Sequence, residues 1–325
     1  MVKPNLGDIE RAQAVVARFV PPTPSYAWPL LALRCGCEVW VKHENHTRLG
    51  AFKVRGGLVY FDAMRDALAQ APGVVSATRG NHGQSVAYAA RASGVRAVIV
   101  VPDGNSVEKN AAMRALGAEL VVHGADFQAA LEHAQALAAA EGLRMVPSFD
   151  PRLVAGVATY AMEFFGQAPS LDTVYVPIGL GSGICGVIAA RDALGLKTEV
   201  VGVVAEGAPA YALSHAAGAP VSTDRADTMA DGIACRVPVP EAVSIICAGA
   251  ARIVQVSDAE IRAAMRHYFM DTHNLAEGAG AAPLAALLRE RDAMAGRRIG
   301  LVLSGGNVDL PVFRTVLAGE MPADI

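Results

Sequence analysis

From about residue 37 onward, short Val/Ile-rich apolar runs alternate with longer Ala/Leu segments of helical period. CEVWVKH, GVVSAT, RAVIVVP, AELVVHG, TVYVPIG, TEVVGVVAE, ARIVQV and RIGLVLSGG predict strands, most too continuously apolar to keep one face in water. GLVYFDAMRDALAQA, SVEKNAAMRALG, FQAALEHAQALAAAEG and DAEIRAAMRHYF predict the intervening helices. This alternation predicts an α/β chain whose parallel sheets are covered by helices on both faces.

At 325 residues the chain exceeds one ordinary core, so one large or two interleaved α/β domains are expected. The only boundary signal is the loop-like PSFDPRL at 147 to 153, after four βα-type units. Two domains meeting there would enclose a cleft, where ligands commonly bind. Hydrophobic residues make up 53% and charged residues 18%, a balance that excludes a disordered or fibrous chain. A formal charge of −3, with both signs interspersed, argues against nucleic acid as a partner. Five scattered cysteines suit a reducing compartment better than a disulfide framework, and Cys35-Gly36-Cys37 is too close for the usual zinc spacing. No signal peptide and no apolar run of ~18 residues are present, so a cytoplasmic protein with no membrane partner is expected.

Four segments carry candidate chemistry. GLGSGICG (179 to 186) follows the strand TVYVPI and opens a helix, so its backbone N–H groups and the positive helix end form an anion nest. The same residues satisfy G-x-G-x-x-G, and Glu206 stands 20 residues beyond Gly186. A nicotinamide oxidoreductase therefore remains open on this loop alone. Lys53, in GAFKVRGG, is the second candidate. A lysine desolvated by Phe52 and flanking glycines loses basicity and can form Schiff bases. Such a lysine paired with a separate phosphate nest points to pyridoxal phosphate. TRGNHGQS (78 to 85) is a second anion-facing turn, bearing the forked cation Arg79. SGGN (304 to 307) ends the strand IGLVL and offers an uncharged hydroxyl.

In this order, with VPPTPSYAWPL, KHENH before GAFKVRG, TMADGIA and SVEKNAAMRALGAEL, the segments resemble the fold-type II pyridoxal-phosphate enzymes, specifically the threonine/serine dehydratase and serine racemase group. The resemblance implies two three-layer αβα domains of the tryptophan synthase β-like type, with parallel-rich sheets and the cofactor in the cleft between them. It implies a large domain of residues 1–72 and 151–325 and a small mobile domain of residues 73–150. Lys53 would be the Schiff-base lysine and would remove the Cα proton, and Phe52 would flank the ring. Asn81 would hydrogen-bond the ring hydroxyl, and Gly179, Leu180, Gly181, Ser182 and Gly183 would hold the phosphate. Ser304 would face the pyridine nitrogen. The Thr78, Arg79, Gly80, Asn81, His82 turn would receive the carboxylate of a small amino-acid substrate. The implied reaction is α,β-elimination from a β-hydroxy-α-amino acid, yielding a 2-oxo acid and ammonia, by a homodimer.

Three features depart from the group's pattern. Its phosphate loop usually has four consecutive glycines, where this chain has Gly179-Leu180-Gly181-Ser182. Its racemases place a serine before the Gly-Asn-His-Gly turn, where this chain has Arg79. A guanidinium is a poor proton shuttle but a good anion handle, so racemisation is disfavoured. Arg79 and Ala51, where many relatives have serine, leave room for a substrate larger than threonine or serine, such as phenylserine, 3-hydroxyaspartate or a hydroxyectoine-derived amino acid. Thirdly, Glu206 matches one ligand of the group's metal site but Ala212 stands where an aspartate is expected, so no essential metal is predicted. The chain runs only briefly past SGGN, so a regulatory domain with isoleucine feedback is not expected. A catalytically silent amino-acid sensor is the non-enzymatic alternative, and the presence of both Lys53 and Ser304 argues against it.

Overall fold

The eight apolar runs form strands in the computed structural model, which describes residues 3–319. They are β2 (Glu38–His43), β3 (Val74–Ala77), β4 (Ala97–Val101), β5 (Glu119–Val122), β7 (Thr173–Pro177), β8 (Glu199–Ala205), β9 (Arg252–Val256) and β10 (Arg298–Leu303). Two further strands, β1 (Ser25–Ala27) and β6 (Arg144–Met145), are too short to show a period in the sequence.

The strands form two sheets. One has the order β1-β2-β10-β7-β8-β9, parallel except for the antiparallel edge strand β1. The other, β5-β4-β3-β6, is wholly parallel and is drawn from the chain between Val74 and Met145. The central strands β3, β4 and β7 are buried at every position, as continuous apolar runs require when helices cover both faces.

Helix starts follow side-chain capping. Asp126 and Asp150 each accept a backbone N–H at the first turn of the next helix, and Ser257 forms a capping box with Glu260. The segment GLVYFDAMRDALAQA departs from the predicted single helix. Its helix begins earlier, at Lys53, and ends at Ala63; a second, Arg65–Ala69, follows after Met64 at φ −102°, ψ 9°. That break lets Phe61 and Leu68 enter the same core as Val74 and Ile99, so packing overrides local propensity.

Parallel strands place the loops at their C-terminal ends on one side of a sheet, where ligands of open α/β sheets bind. Lys53 follows β2, the turn 78–82 follows β3, the loop 179–183 follows β7, and Ser304 follows β10. Among the described residues no helix is long and apolar enough to cross a membrane.

Candidate active site

A cavity of about 510 Å³ lies where these strand ends converge, and the residues expected to bind cofactor and substrate line it. Phe52 and Lys53 come from one segment, Thr78 to His82 from a second, Gly179 to Gly183 from a third and Ser304 from a fourth.

Lys53 is the first residue of the helix Lys53–Ala63, with Phe52 in the N-cap position. Its Nζ lies 3.0 Å from Ser182 Oγ and 5.1 Å from the Phe52 ring centroid. Burial pulls its pKa down to about 8, so a substantial neutral fraction exists near pH 7 to 8. The Phe52 ring meets Tyr160 edge-on at 5.9 Å. Two residues beyond Lys53, the fully buried Arg55 guanidinium clamps Glu44 at 2.8 Å and Glu163 at 2.6 Å, while Lys42 reaches Glu163 at 2.7 Å. This charge-balanced network ties the first turn of the lysine's helix to the end of β2 and to the helix Pro151–Gln167.

Opposite Lys53, the loop Gly179–Gly183 ends in the helix Ser182–Ala193, whose N-cap Gly181 has φ 98° and no side-chain cap. A left-handed φ suits glycine, and a Cβ there would also come within 2.7 Å of Ala242 Cβ. Gly179 has no room for a side chain because Gly232 O occupies the space. Leu180 and Ser182 do not close the nest: the N–H groups of Gly179, Leu180, Gly181, Ser182 and Gly183 have no protein acceptor among the described residues. Five clustered donors without a protein acceptor, at a positive helix end, have the arrangement that favours an anion. Tyr211 braces the loop, donating from its hydroxyl to Leu180 O at 2.9 Å.

The turn after β3 is built the same way. Thr78 Oγ1 accepts from Gly80 N at 3.0 Å and Gly83 N at 3.2 Å, which leaves its hydroxyl proton to donate elsewhere. The N–H groups of Arg79, Asn81 and His82 have no protein acceptor among the described residues, the pattern of a carboxylate site at a helix start. A side chain at Gly80 would come within 2.8 Å of Lys109 Cδ. His82 is 9% exposed, and burial together with Lys53 lowers its pKa to about 3. Its imidazole is therefore neutral, and its Nε2 has no hydrogen-bond partner among the described residues. Arg79 stands at the lip, its side chain 43% exposed, and its nearest carboxylate is Asp231 at 4.0 Å.

Ser304 closes β10. Its carbonyl accepts from Phe52 N at 3.0 Å, and its hydroxyl makes no hydrogen bond to protein among the described residues. Glu277, Lys109, Asp231 and Asn307 went unrecognised in the sequence. Glu277 Oε1 accepts from Asn81 Nδ2 at 2.6 Å, and its Oε2 lies 3.4 Å from Lys109 Nζ. Lys109 also approaches Asp231 at 3.8 Å, and Asn307 Nδ2 donates to Asn81 Oδ1 at 2.9 Å. Asn307 ends SGGN, Asp231 lies in TMADGIA and Lys109 in SVEKNAAMRALGAEL, but nothing local gives these side chains a role, and only the juxtaposition of the two sheets brings them together.

Glu206 does not line the cavity. It forms a half-exposed ion pair with Arg289 at 2.8 Å, away from the GSGICG loop's cavity. Among the described residues no cluster of three or more His, Cys, Asp or Glu is arranged to hold a metal ion.

The remaining donors fit pyridoxal phosphate. The nest matches its phosphate, the desolvated Lys53 amine its aldehyde, the free Ser304 hydroxyl its ring nitrogen and an Asn81 N–H its ring oxygen.

Comparison with known proteins agrees with this chemistry. The family model described as "Pyridoxal-phosphate dependent enzyme" matches residues 16–305. An L-threonine ammonia-lyase of Thermotoga maritima is 32% identical over 314 residues, covering 96% of this chain and 78% of that protein. An L-threo-3-hydroxyaspartate ammonia-lyase of Saccharomyces cerevisiae is 29% identical, with 98% of each chain covered. Maize serine racemase superposes with a TM-score of 0.90 at 27% identity over 97% of each chain. The chain belongs to the pyridoxal-phosphate dependent enzyme family, in its threonine dehydratase-like, fold-type II group.

Proposed function

We propose that this protein is a pyridoxal-phosphate-dependent dehydratase, an ammonia-lyase converting a β-hydroxy-α-amino acid to a 2-oxo acid and ammonia by α,β-elimination. The observation that carries the reading is the single cavity in which a desolvated lysine amine, an uncapped phosphate nest and a second anion-binding turn face one another. When bound, the cofactor supplies an electron sink that acidifies the Cα–H bond of an amino acid held on it.

The protein's part is positioning and proton handling. The N–H groups of the 79–82 turn and the Thr78 hydroxyl bind the substrate carboxylate. Lys53, lowered toward neutral pH by burial, serves as the base at Cα, and Ser182 Oγ at 3.0 Å holds its Nζ on the phosphate side of the site. Ser304 would present an uncharged hydroxyl, rather than a carboxylate, to the cofactor's ring nitrogen. Arg79 cannot shuttle a proton as a serine can, so elimination rather than racemisation is the expected outcome, and Arg79 is the handle for an additional polar or anionic substrate group.

In this reading residues 73–150 form a small domain that moves against a large domain of residues 1–72 and 151–325. The protein works in the cytoplasm as a homodimer, and threonine and serine are the default substrates.

Borohydride treatment of the yellow holoprotein tests the cofactor assignment. The reading requires bleaching and a stable label on Lys53. A colourless protein that binds a nicotinamide nucleotide would support the oxidoreductase instead.

A further inference from the structure

Asn81 is anchored at both ends of its carboxamide. The Leu49 carbonyl can only accept, so the Asn307 group 2.7 Å from it is the Nδ2 amino group. The other hydrogen of that group donates to Asn81 at 2.9 Å, which makes the receiving atom Asn81 Oδ1. Asn81 Nδ2 is thereby turned toward Glu277 Oε1, to which it donates at 2.6 Å. The second Nδ2 hydrogen has no protein acceptor among the described residues, and Asn81 lines the cavity.

The surroundings are shaped to hold this arrangement. A Cβ at Gly305 would collide with Glu277 Oε1, and one at Gly50 would lie 2.5 Å from Asn307 Oδ1. Glu277 is an N-cap residue, at the start of the helix Gly278–Arg289, whose carboxylate makes no cap bond and is given to Asn81 instead. It is 4% exposed, and Lys109 beside it supplies the compensating charge.

We propose that Glu277 and Asn307 are positioning residues for the cofactor. Running from Leu49 O through Asn307 and Asn81 to Glu277, they fix the Asn81 carboxamide in the one orientation that presents an N–H to the cofactor's ring oxygen. Because Asn81 starts a helix packed on the β3/β4 side, whereas Glu277 and Asn307 belong to the side of the six-stranded sheet, correct docking of the two sheets is built into cofactor recognition. The inference rests on the pyridoxal-phosphate reading above.

The test compares wild type with Asn307→Asp, Glu277→Ala and Glu277→Gln, using two readouts besides activity: the dissociation constant for pyridoxal phosphate and the ratio of the bound cofactor's two absorption bands as pH is varied. Asn307→Asp replaces the donor by an acceptor, and Glu277→Ala removes the far anchor. Each is expected to weaken cofactor binding about tenfold and to shift the band ratio, as loss of one well-placed donor does. Glu277→Gln keeps an acceptor oxygen and should stay within about twofold of wild type. A wild-type band ratio and affinity in both Asn307→Asp and Glu277→Ala, with only a lowered melting temperature, overturns the inference. So does a Glu277→Gln variant as impaired as Glu277→Ala, since charge rather than orientation would then be decisive. Where one variant fails to fold, the others still decide. A wild-type protein that takes up no pyridoxal phosphate defeats the underlying reading and is distinguished by appearing before any substitution is made.

Discussion

The amine of Lys53 stands 3.0 Å from the hydroxyl of Ser182, the first residue of the helix that follows the phosphate nest. Two segments separated by more than a hundred residues are thereby joined at the reactive nitrogen. The contact brings the amine proposed as the cofactor's anchor to the loop proposed to hold its phosphate.

Lys53→Ala is expected to abolish turnover and the borohydride-stable label while leaving the fold intact, because the residue lines a cavity rather than filling the core. Circular dichroism and intact-mass measurement after reduction check both halves. Loss of secondary structure would show that Lys53 is needed for packing.

Arg79→Ser is expected to change substrate preference more than cofactor content. Among the described residues the guanidinium makes no hydrogen bond and its one ion pair is the 4.0 Å approach to Asp231, so its removal should leave the 179–183 loop untouched. Ratios of kcat/KM across several β-hydroxy amino acids, set beside cofactor content by absorbance, measure the two effects. Identical ratios before and after the change would remove Arg79 from substrate recognition.

Arg55→Ala strands the buried carboxylate of Glu44 and leaves Glu163 with Lys42 as its one remaining cation. Breaking such a buried pair costs about 3–5 kcal/mol, a loss measurable as a lower urea midpoint. Arg55→Lys keeps the charge but not the fork, and should fall between Arg55→Ala and wild type. Unchanged midpoints would mean that the network relaxes around the loss.

Stability should also decline in acid for a reason separate from the carboxylates. Burial lowers the pKa of His43 and His82 to about 3 and of His267 to about 4. All three are neutral in the folded protein, whereas an unfolded histidine takes a proton as pH falls below about 6.5. Protonation then favours the unfolded chain, so each histidine removes up to ~1.4 kcal/mol per pH unit, starting near 6.5 and ending near its folded value. Denaturation midpoints at pH 8, 6.5 and 5 should be similar for the first pair and lower for the third. A midpoint that does not fall between pH 6.5 and 5 contradicts the assignment.

The strands were legible because parallel strands buried on both faces read as unbroken Val/Ile runs, as TVYVP and AVIVV do. The reactive loops were legible because glycine patterns mark places where backbone must approach a ligand, as in GLGSG and TRGNHG. Met64 was not, since its break serves a core formed later in the chain. Glu277, Asn307 and Lys109 were not either: their significance lies in which carboxamide or carboxylate faces them across two sheets, and no local period encodes that. The same holds for Glu206, whose spacing after GSGICG fits the dinucleotide pattern although the fold sets it beside Arg289, outside the cavity.

The central claim is elimination from a β-hydroxy amino acid. Its most direct measurement is 2-oxo acid and ammonia release by the holoprotein across a panel including threonine, serine, 3-hydroxyaspartate and phenylserine, with chiral analysis of the remaining substrate. Equimolar 2-oxo acid and ammonia from at least one member, lost in Lys53→Ala and accompanied by no inverted substrate, is the result expected. A yellow, Lys53-labelled holoprotein that releases no 2-oxo acid from any member, or that only inverts their configuration, would contradict the account.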